Sequence, residues 1–441
     1  MVIPIVSCEL FIPSWVVRFK MLKNSPRVTS ALCCLLLPLT ALAADAPDPQ
    51  MLVTQFWQAG DADERNAIAA QLSENAANVA TLYDWMKDGP QYSDDVPTGI
   101  VESVYEAPDG TTYPYVFVIP EDYDPETRYP VEFALHGGVG RPKPEPGDEL
   151  WRGGYDNLVR SDRITVLPSA WREAYWWHDS QADTLPALLD LLKASYNINE
   201  NRVVLTGVSD GGTGAYFFAF KQPTEWAAFL PYIGHPGVLR SEQSGGGYRL
   251  YFENLMGKPL YIVNGENDRL YPASSLASFM QILEEQEVEH IFRVIEGGGH
   301  NTQWMPQERP AIEEFVAEHP RDPMPDSLQW VADRTDRYQR NHWIEIDELA
   351  VAGRPALLQV TRNDNVFSVT ARGVTEFTLL LNPEEVDLSE PLLVNVNGRI
   401  AHTGMVRQDK AVLLERAALD LDREQLFTAA LTIQVNSDQV E

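Results

Sequence analysis

Between residues 49 and 90 apolar side chains recur every three or four positions, in "QMLVTQFWQAG" and "DADERNAIAAQLSENAANVATLYDWMKDG". That spacing predicts amphipathic helices, with Asp and Ser ahead of helical runs as caps. Residues 44–99 therefore read as a small helical appendage that packs on the domain after it. Near residue 100 the period changes. Short β-branched runs appear at 100–107, 115–120, 131–136, 164–169, 202–207, 228–234, 259–265 and 290–296. Helical stretches such as "TLPALLDLLKASY", "GTGAYFFAFKQ", "SSLASFMQILEEQ" and "RPAIEEFVAEH" fall between the later runs. Strand–helix alternation predicts a mainly parallel eight-stranded sheet covered on both faces. The first two runs are joined by "PDGTTYP" and read as a hairpin at the sheet edge.

A Pro- and Asp-rich stretch, "HPRDPMPDSLQW" (319–330), marks a boundary, so the sheet domain is expected over 100–320. Beyond it, "HWIEIDEL", "ALLQVTRN", "VFSVTARG", "EFTLLLN", "LLVNVNGRI" and "LTIQVN" alternate apolar and polar residues between turn signals. This predicts a small β-sandwich-like domain over 325–441, with one helical segment, "DKAVLLERAAL".

Composition adds a compartment. From Met21 the chain reads "MLKNSPRVTSALCCLLLPLTALA", a basic start, an apolar run and an Ala-Leu-Ala site. Residues 1–43 are expected to be a leader, with translation starting at Met21 and a secreted or periplasmic product. A membrane anchor is the alternative reading of the same run. All three cysteines, Cys8, Cys33 and Cys34, lie in this leader, so the remaining chain has no disulfide, thiol nucleophile or thiolate metal site. The formal charge is −30, and removing a leader of net +3 leaves −33. Such a chain repels nucleic acid and anionic membranes. No HExxH motif or calcium loop appears, and no metal or cofactor is expected.

The chemistry centres on "RVVLTGVSDGGTGAYFFAF". Gly-x-Ser-x-Gly stands between a buried strand and an amphipathic helix, the context that makes it a nucleophile elbow rather than a Gly-rich turn. A serine hydroxyl needs a base. His300 follows the last predicted strand in "IFRVIEGGGHN", and Asp268 follows an earlier one in "PLYIVNGENDRLYP", with Glu266 as its rival. The order Ser209, Asp268, His300 fits this elbow chemistry, and all three would stand at strand carboxyl ends. The tetrahedral intermediate needs two N–H donors. Asp210 offers its backbone N–H, and "FALHGGVG" offers that of Gly137 or Gly138, with His136 shaping the loop.

On "LHGG", "GVSDGG", "GENDRLYP" and "GGGH", with the "AYWWHDS" run leading to the elbow, the segment from about 100 to 320 resembles an α/β-hydrolase of the esterase type. It is similar to secreted feruloyl and acetylxylan esterases, polyhydroxyalkanoate depolymerases and dienelactone-hydrolase-like proteins. The resemblance implies a Ser209–His300–Asp268 triad acting on a small-molecule or polysaccharide-linked ester. A peptidase of the prolyl-oligopeptidase-like type on the same triad is one alternative. A non-catalytic, carbohydrate-binding relic is another. The segment "HPGVLRSEQSGGGYRLYFENLMGK" is too short for a large lid. Trp171, Tyr175, Trp176, Trp177 and Trp304 cluster near the expected site, where they would stack on substrate or simply pack. Trp177, His178, His235 and Trp304 are the candidate pocket residues.

Overall fold

The computed structural model describes residues 48–148 and 160–435, so the expected leader lies outside the described residues. Helices α1 (Pro49–Gln58), α2 (Ala62–Asn75) and α3 (Val79–Asp88) begin where side-chain acceptors are available. Asp48, Asp61 and Asn78 accept from the N–H groups of Gln50, Glu64 and Thr81. Ser73 lies inside α2, so the third cap is an asparagine and not the serine of that stretch. The apolar faces of these helices, including Phe56, Leu72, Leu82 and Met86, close on Leu413, Leu414 and Ala417. Those residues belong to a helix more than 300 positions downstream. The helical layer is thus more than an appendage to the sheet, because its core needs a partner from the far end of the chain.

The large sheet contains β1 (Gly99–Glu106), β2 (Thr112–Ile119), β3 (Tyr129–Leu135), β4 (Ile164–Pro168), β5 (Ile198–Val208), β6 (Ala228–Tyr232), β7 (Leu260–Gly265) and β8 (His290–Ile295). Their spatial order is β1-β2-β4-β3-β5-β6-β7-β8. β1 and β2 form the antiparallel edge hairpin, β2 also pairs antiparallel with β4, and the remaining pairs are parallel. With α4 (Asp179–Ser195), α5 (Asp210–Lys221), α6 (Ala277–Glu285) and α7 (Met305–Glu318), this is an α/β-hydrolase fold. Central strands β4, β6 and β7 are buried at every position, as continuous apolar runs require when helices cover both faces. α5 buries every residue from Gly211 to Lys221. A helix apolar all round must be covered on its outer side too. The segment after β6, which carries three short 3₁₀ turns between Pro236 and Leu255, supplies that cover through Phe252 and Tyr248.

Two further sheets follow. One is β10-β11-β14-β17 and the other β16-β15-β13-β12-β9. The strands are β9 (Ser327–Ala332), β10 (Arg340–Asn341), β11 (Ile344–Leu349), β12 (Ala356–Asn363), β13 (Val366–Arg372), β14 (Val374–Leu381), β15 (Leu392–Val396), β16 (Arg399–Gly404) and β17 (Ala429–Gln434). α8 (Lys410–Asp420) is inserted before the last strand. Their inner faces share one core around Trp330, Trp343, Phe377 and Val394. Ser327–Trp330, placed in the boundary stretch by the sequence pattern, belongs to β9, so the linker is shorter than its proline content implies. At the turn between β15 and β16, Asn397 (φ 50°) and Gly398 (φ 78°) take the two left-handed positions of a tight hairpin.

Buried ion pairs stitch the sandwich to the large sheet. Glu200 near the start of β5 accepts across the seam from Arg423 at 2.6 Å, and within the large sheet's own domain from the more exposed Arg128 at 2.6 Å. Arg321 pairs with Asp422 at 2.8 Å, both side chains being under 5% exposed.

Candidate active site

β5 runs out of the sheet at Val208 and α5 begins at Asp210, which leaves Ser209 alone to make the turn. It does so at φ 59°, ψ −116°, a conformation unfavourable to any residue with a Cβ. Its N–H donates to the Tyr232 carbonyl at 2.9 Å, which ties the strained residue to β6. The flanking glycines explain themselves by distance. A Cβ on Gly207 would stand 2.1 Å from the Gly211 carbonyl oxygen, and one on Gly211 would stand 2.1 Å from that of Leu135. Neither position admits a side chain.

The Ser209 hydroxyl lies 2.9 Å from His300 Nε2, and His300 Nδ1 lies 2.7 Å from Asp268 Oδ2. With Nδ1 donating to the carboxylate, Nε2 is left as an acceptor facing the serine hydroxyl. Asp268 is fixed from its other oxygen, which accepts from the N–H groups of Leu270 (2.8 Å) and Tyr271 (3.0 Å). Burial pushes this carboxyl up, but the bonds from Tyr271, His300 and Leu270 outweigh it, and the net direction is down. Asp268 is therefore ionised and bound in one orientation. His300 is only a quarter exposed, so the reacting face is partly screened from water. Glu266 is occupied elsewhere, accepting from the Gly297 N–H at 2.8 Å, and takes no part in the relay.

The β3 loop presses on the same turn. A Cβ on Gly137 would meet the Val208 carbonyl oxygen at 2.9 Å and Ser209 Cβ at 3.0 Å, so only glycine lets this backbone approach. Gly138 has φ +70°. Asp210 opens α5, where the first N–H groups have no partner within the helix. The Asp210 carboxylate also accepts from the Val139 N–H at 3.0 Å. It pins the loop holding Gly137 and Gly138 against the elbow, a role that neither motif nor spacing announced. His136 is built into the scaffold. Its Nε2 accepts from the Ala170 N–H (3.1 Å), its Nδ1 faces the Gly137 carbonyl (2.9 Å), and its own carbonyl accepts from Trp176 (2.8 Å). Burial lowers its pKa, so the ring stays neutral.

The candidate pocket residues divide. His235 stands beside Tyr271 (ring centroids 5.7 Å), and Tyr271 meets His300 edge-on at 5.9 Å. The first of these rings lines a groove of about 610 Å³ whose apolar walls include Phe252, Phe279 and Ile282. Trp304 is buried against Tyr232, with its Nε1 donating to the Asn301 carbonyl. Trp177 is buried and donates to the Ser244 carbonyl. Trp171 and Trp176 are buried as well, so these tryptophans serve packing. His178 precedes α4 and lines a second cavity. Tyr271, which links His235 to His300, carried no sequence signal beyond its place after "GENDRL". Among the described residues no cluster of His, Cys, Asp and Glu could hold a metal ion.

The serine, its base and the orienting carboxylate thus form one relay beside two sources of backbone N–H, an arrangement able to attack and stabilise an acyl carbonyl. No family model and no curated protein matches the chain. Among solved structures it is similar to a thermostable esterase, with 20% identity, TM-score 0.41, and coverage of 50% of this chain and 63% of that one. The matched span is less than two thirds of that esterase's length. It is also similar to the S-formylglutathione hydrolase FrmB of Staphylococcus aureus, with 19% identity, TM-score 0.40, and coverage of 50% and 99%. A third likeness is to a CE1 ferulic acid esterase of the anaerobic fungus Anaeromyces mucronatus, with 17% identity, TM-score 0.39, and coverage of 47% and 87%.

Proposed function

We propose that this protein is a serine hydrolase that cleaves carboxylic esters through an acyl-enzyme. The observation that carries the proposal is the Ser209–His300–Asp268 relay, at 2.9 and 2.7 Å, on a serine held at φ 59°. Ser209 Oγ attacks the ester carbonyl while its proton passes to His300 Nε2. Asp268 holds the imidazole in the required tautomer and stabilises its charged form. The oxyanion is received by the N–H of Asp210 and that of Gly137 or Gly138. His300 then returns the proton to the leaving alcohol. Water, activated by the same imidazole, attacks the acyl-enzyme carbonyl, and Ser209 leaves with the proton.

The proposal includes export. Cleavage after Ala43 of a chain started at Met21 would yield a protein beginning at Ala44, which N-terminal sequencing of exported material checks. The catalytic part is tested by a fluorophosphonate, which should label Ser209 stoichiometrically. Ser209→Ala should abolish labelling and lower ester hydrolysis by about a millionfold or to background. Near-normal turnover in that variant, or no labelling of the wild type, would sink the proposal. A panel of acyl esters against aminoacyl amides distinguishes an esterase from a peptidase, and acetyl, feruloyl and hydroxyalkanoate esters then define the acyl group.

A further inference from the structure

α5 begins at the candidate nucleophile and ends, 12 residues later, at Lys221. That places Lys221 about 18 Å along the helix axis from Ser209. Its side chain is 7% exposed. Its amine makes no hydrogen bond or ion pair with any described residue. It lies instead against the rings of Tyr251 and Tyr248, with centroids at 5.1 and 5.8 Å. A largely buried ammonium that meets no protein acceptor gives up much of its hydration. The carbonyl end of α5 offsets part of that loss, and the two ring faces offset more.

Lys221 reaches the wall of a cavity of about 640 Å³ between α5, the segment after β6 and the loop after β9. Arg249 and Arg334 line the same cavity. Two carboxylates line it as well, but both are engaged. Asp333 accepts from Tyr251 Oη at 2.8 Å and stands 3.9 Å from Arg249, and Asp179 accepts from Tyr338 Oη at 2.7 Å. Arg334 pairs with Asp336 and Arg249 donates to the Gly353 carbonyl. Of the three cations, Lys221 is the one with no acceptor among the described residues. Burial lowers its pKa, with Arg334 and Arg249 adding to that and Asp333 opposing it. An arriving anion would reverse the imbalance. In a chain of charge −30 a concentration of cations around one cavity stands out against the general repulsion of anions.

Tyr248 and Tyr338 also line the cavity, and the space is far larger than a simple inorganic anion needs. Gly247, Tyr248 and Arg249 line both this cavity and the apolar groove that His235 enters. The two therefore share a wall, and the groove leads back through Tyr271 to His300.

We propose that this cavity is a binding subsite for an acidic sugar, a pyranose whose carboxylate is received by Lys221 with Arg249 and Arg334 beside it. The tyrosine rings give the sugar an apolar face to lie on, and a carbohydrate chain continuing along the shared wall would bring an ester group toward Ser209. That last step rests on the hydrolase reading; the binding does not.

Isothermal titration of the full chain with trigalacturonate, maltotriose and inorganic phosphate tests the proposal. Trigalacturonate should bind, maltotriose should bind at least tenfold more weakly, and phosphate should bind no better than maltotriose. Lys221→Met keeps the stem and removes the charge. It should melt no lower than wild type and weaken trigalacturonate about tenfold or more, the scale of a lost charge-assisted hydrogen bond. If Lys221→Met does not fold, Arg249→Gln, on an exposed side chain, should weaken the acid about threefold. Ser209→Ala should bind trigalacturonate as wild type does, so a failure of the esterase reading leaves this result unchanged. Equal affinity for the neutral trimer, preference for phosphate, or undiminished binding in the folded Lys221 and Arg249 variants would each overturn the proposal.

Discussion

The two ends of β5 use charge in opposite ways. At its start Glu200 is buried between Arg423 and Arg128, every partner is satisfied, and the group ties one part of the chain to another. Just past its other end Ser209 stands in a strained turn, and its partner His300 keeps a nitrogen free to accept a proton. The first arrangement fixes the fold and leaves nothing for chemistry. The second joins a hydroxyl to a base that can take its proton. One strand thus shows that a buried charge by itself says little about function; what separates the two ends is whether the hydrogen-bonded groups can still pass a proton between them.

Each end can be broken separately. At the reactive end, Asp268→Asn should keep the fold and lower kcat by about a thousand- to ten-thousand-fold, because the imidazole loses the tautomer it needs. Steady-state kinetics beside a thermal melt would check this, and a variant within tenfold of wild type would remove Asp268 from the relay. At the structural end, Arg423→Met leaves Glu200 with Arg128 as its remaining ion-pair partner. It should cost about 3–5 kcal/mol of unfolding free energy in urea with little change in turnover per folded molecule. A large loss of turnover at unchanged stability would erase the distinction.

The seam carries a pH signature of its own. Burial, with Arg321 adding to it, lowers the Lys258 pKa from 10.5 to about 7 against the opposing pull of Glu225 and Asp322. Between those values the unfolded chain holds a proton that the folded chain does not, so stability should rise with pH across this window and level off below about 7. One such proton sets a limiting slope of about 1.4 kcal/mol per pH unit. Urea titrations at pH 7, 8.5 and 10 should show the rise in wild type and its reduction in Lys258→Met. The smallest effect is expected from Asp210→Ala, which releases the Val139 N–H and loosens the loop holding Gly137 and Gly138. A fall in kcat of about tenfold with KM little altered would mark a positioning role, whereas an unchanged kcat would show that the loop holds itself.

The strands of the large sheet were legible because each is a short apolar run, most of them rich in β-branched residues, and those buried on both faces need no alternation to be recognised. Their spatial order was not, since placing β3 between β4 and β5 depends on the long crossover and leaves no local mark. Ser209, His300 and Asp268 could be named because each follows a recognisable strand. Triad placement favours Asp268 over Glu266 although both follow β7 within three residues, and in the fold Glu266 is taken up by the Gly297 N–H. The tryptophans near the elbow allowed both readings, packing and pocket, because an indole that packs and donates to a carbonyl, as Trp304 and Trp177 do, has the same letter as one that meets a ligand. The second task of Asp210 stayed hidden because the Val139 N–H it accepts from lies 71 positions away.

The shared core of α1–α3 and α8 has a consequence for the order in which the molecule can be made. Lys410, at the start of α8, donates to the Ser73 carbonyl, a contact spanning 337 positions. On a ribosome the first helices emerge with Phe56, Leu72 and Leu82 lacking the surface that covers them, and that surface arrives near the end of synthesis. The chain cannot close its first core until it has nearly finished its last, so its earliest-made part waits longest and depends most on whatever shields apolar faces during that interval.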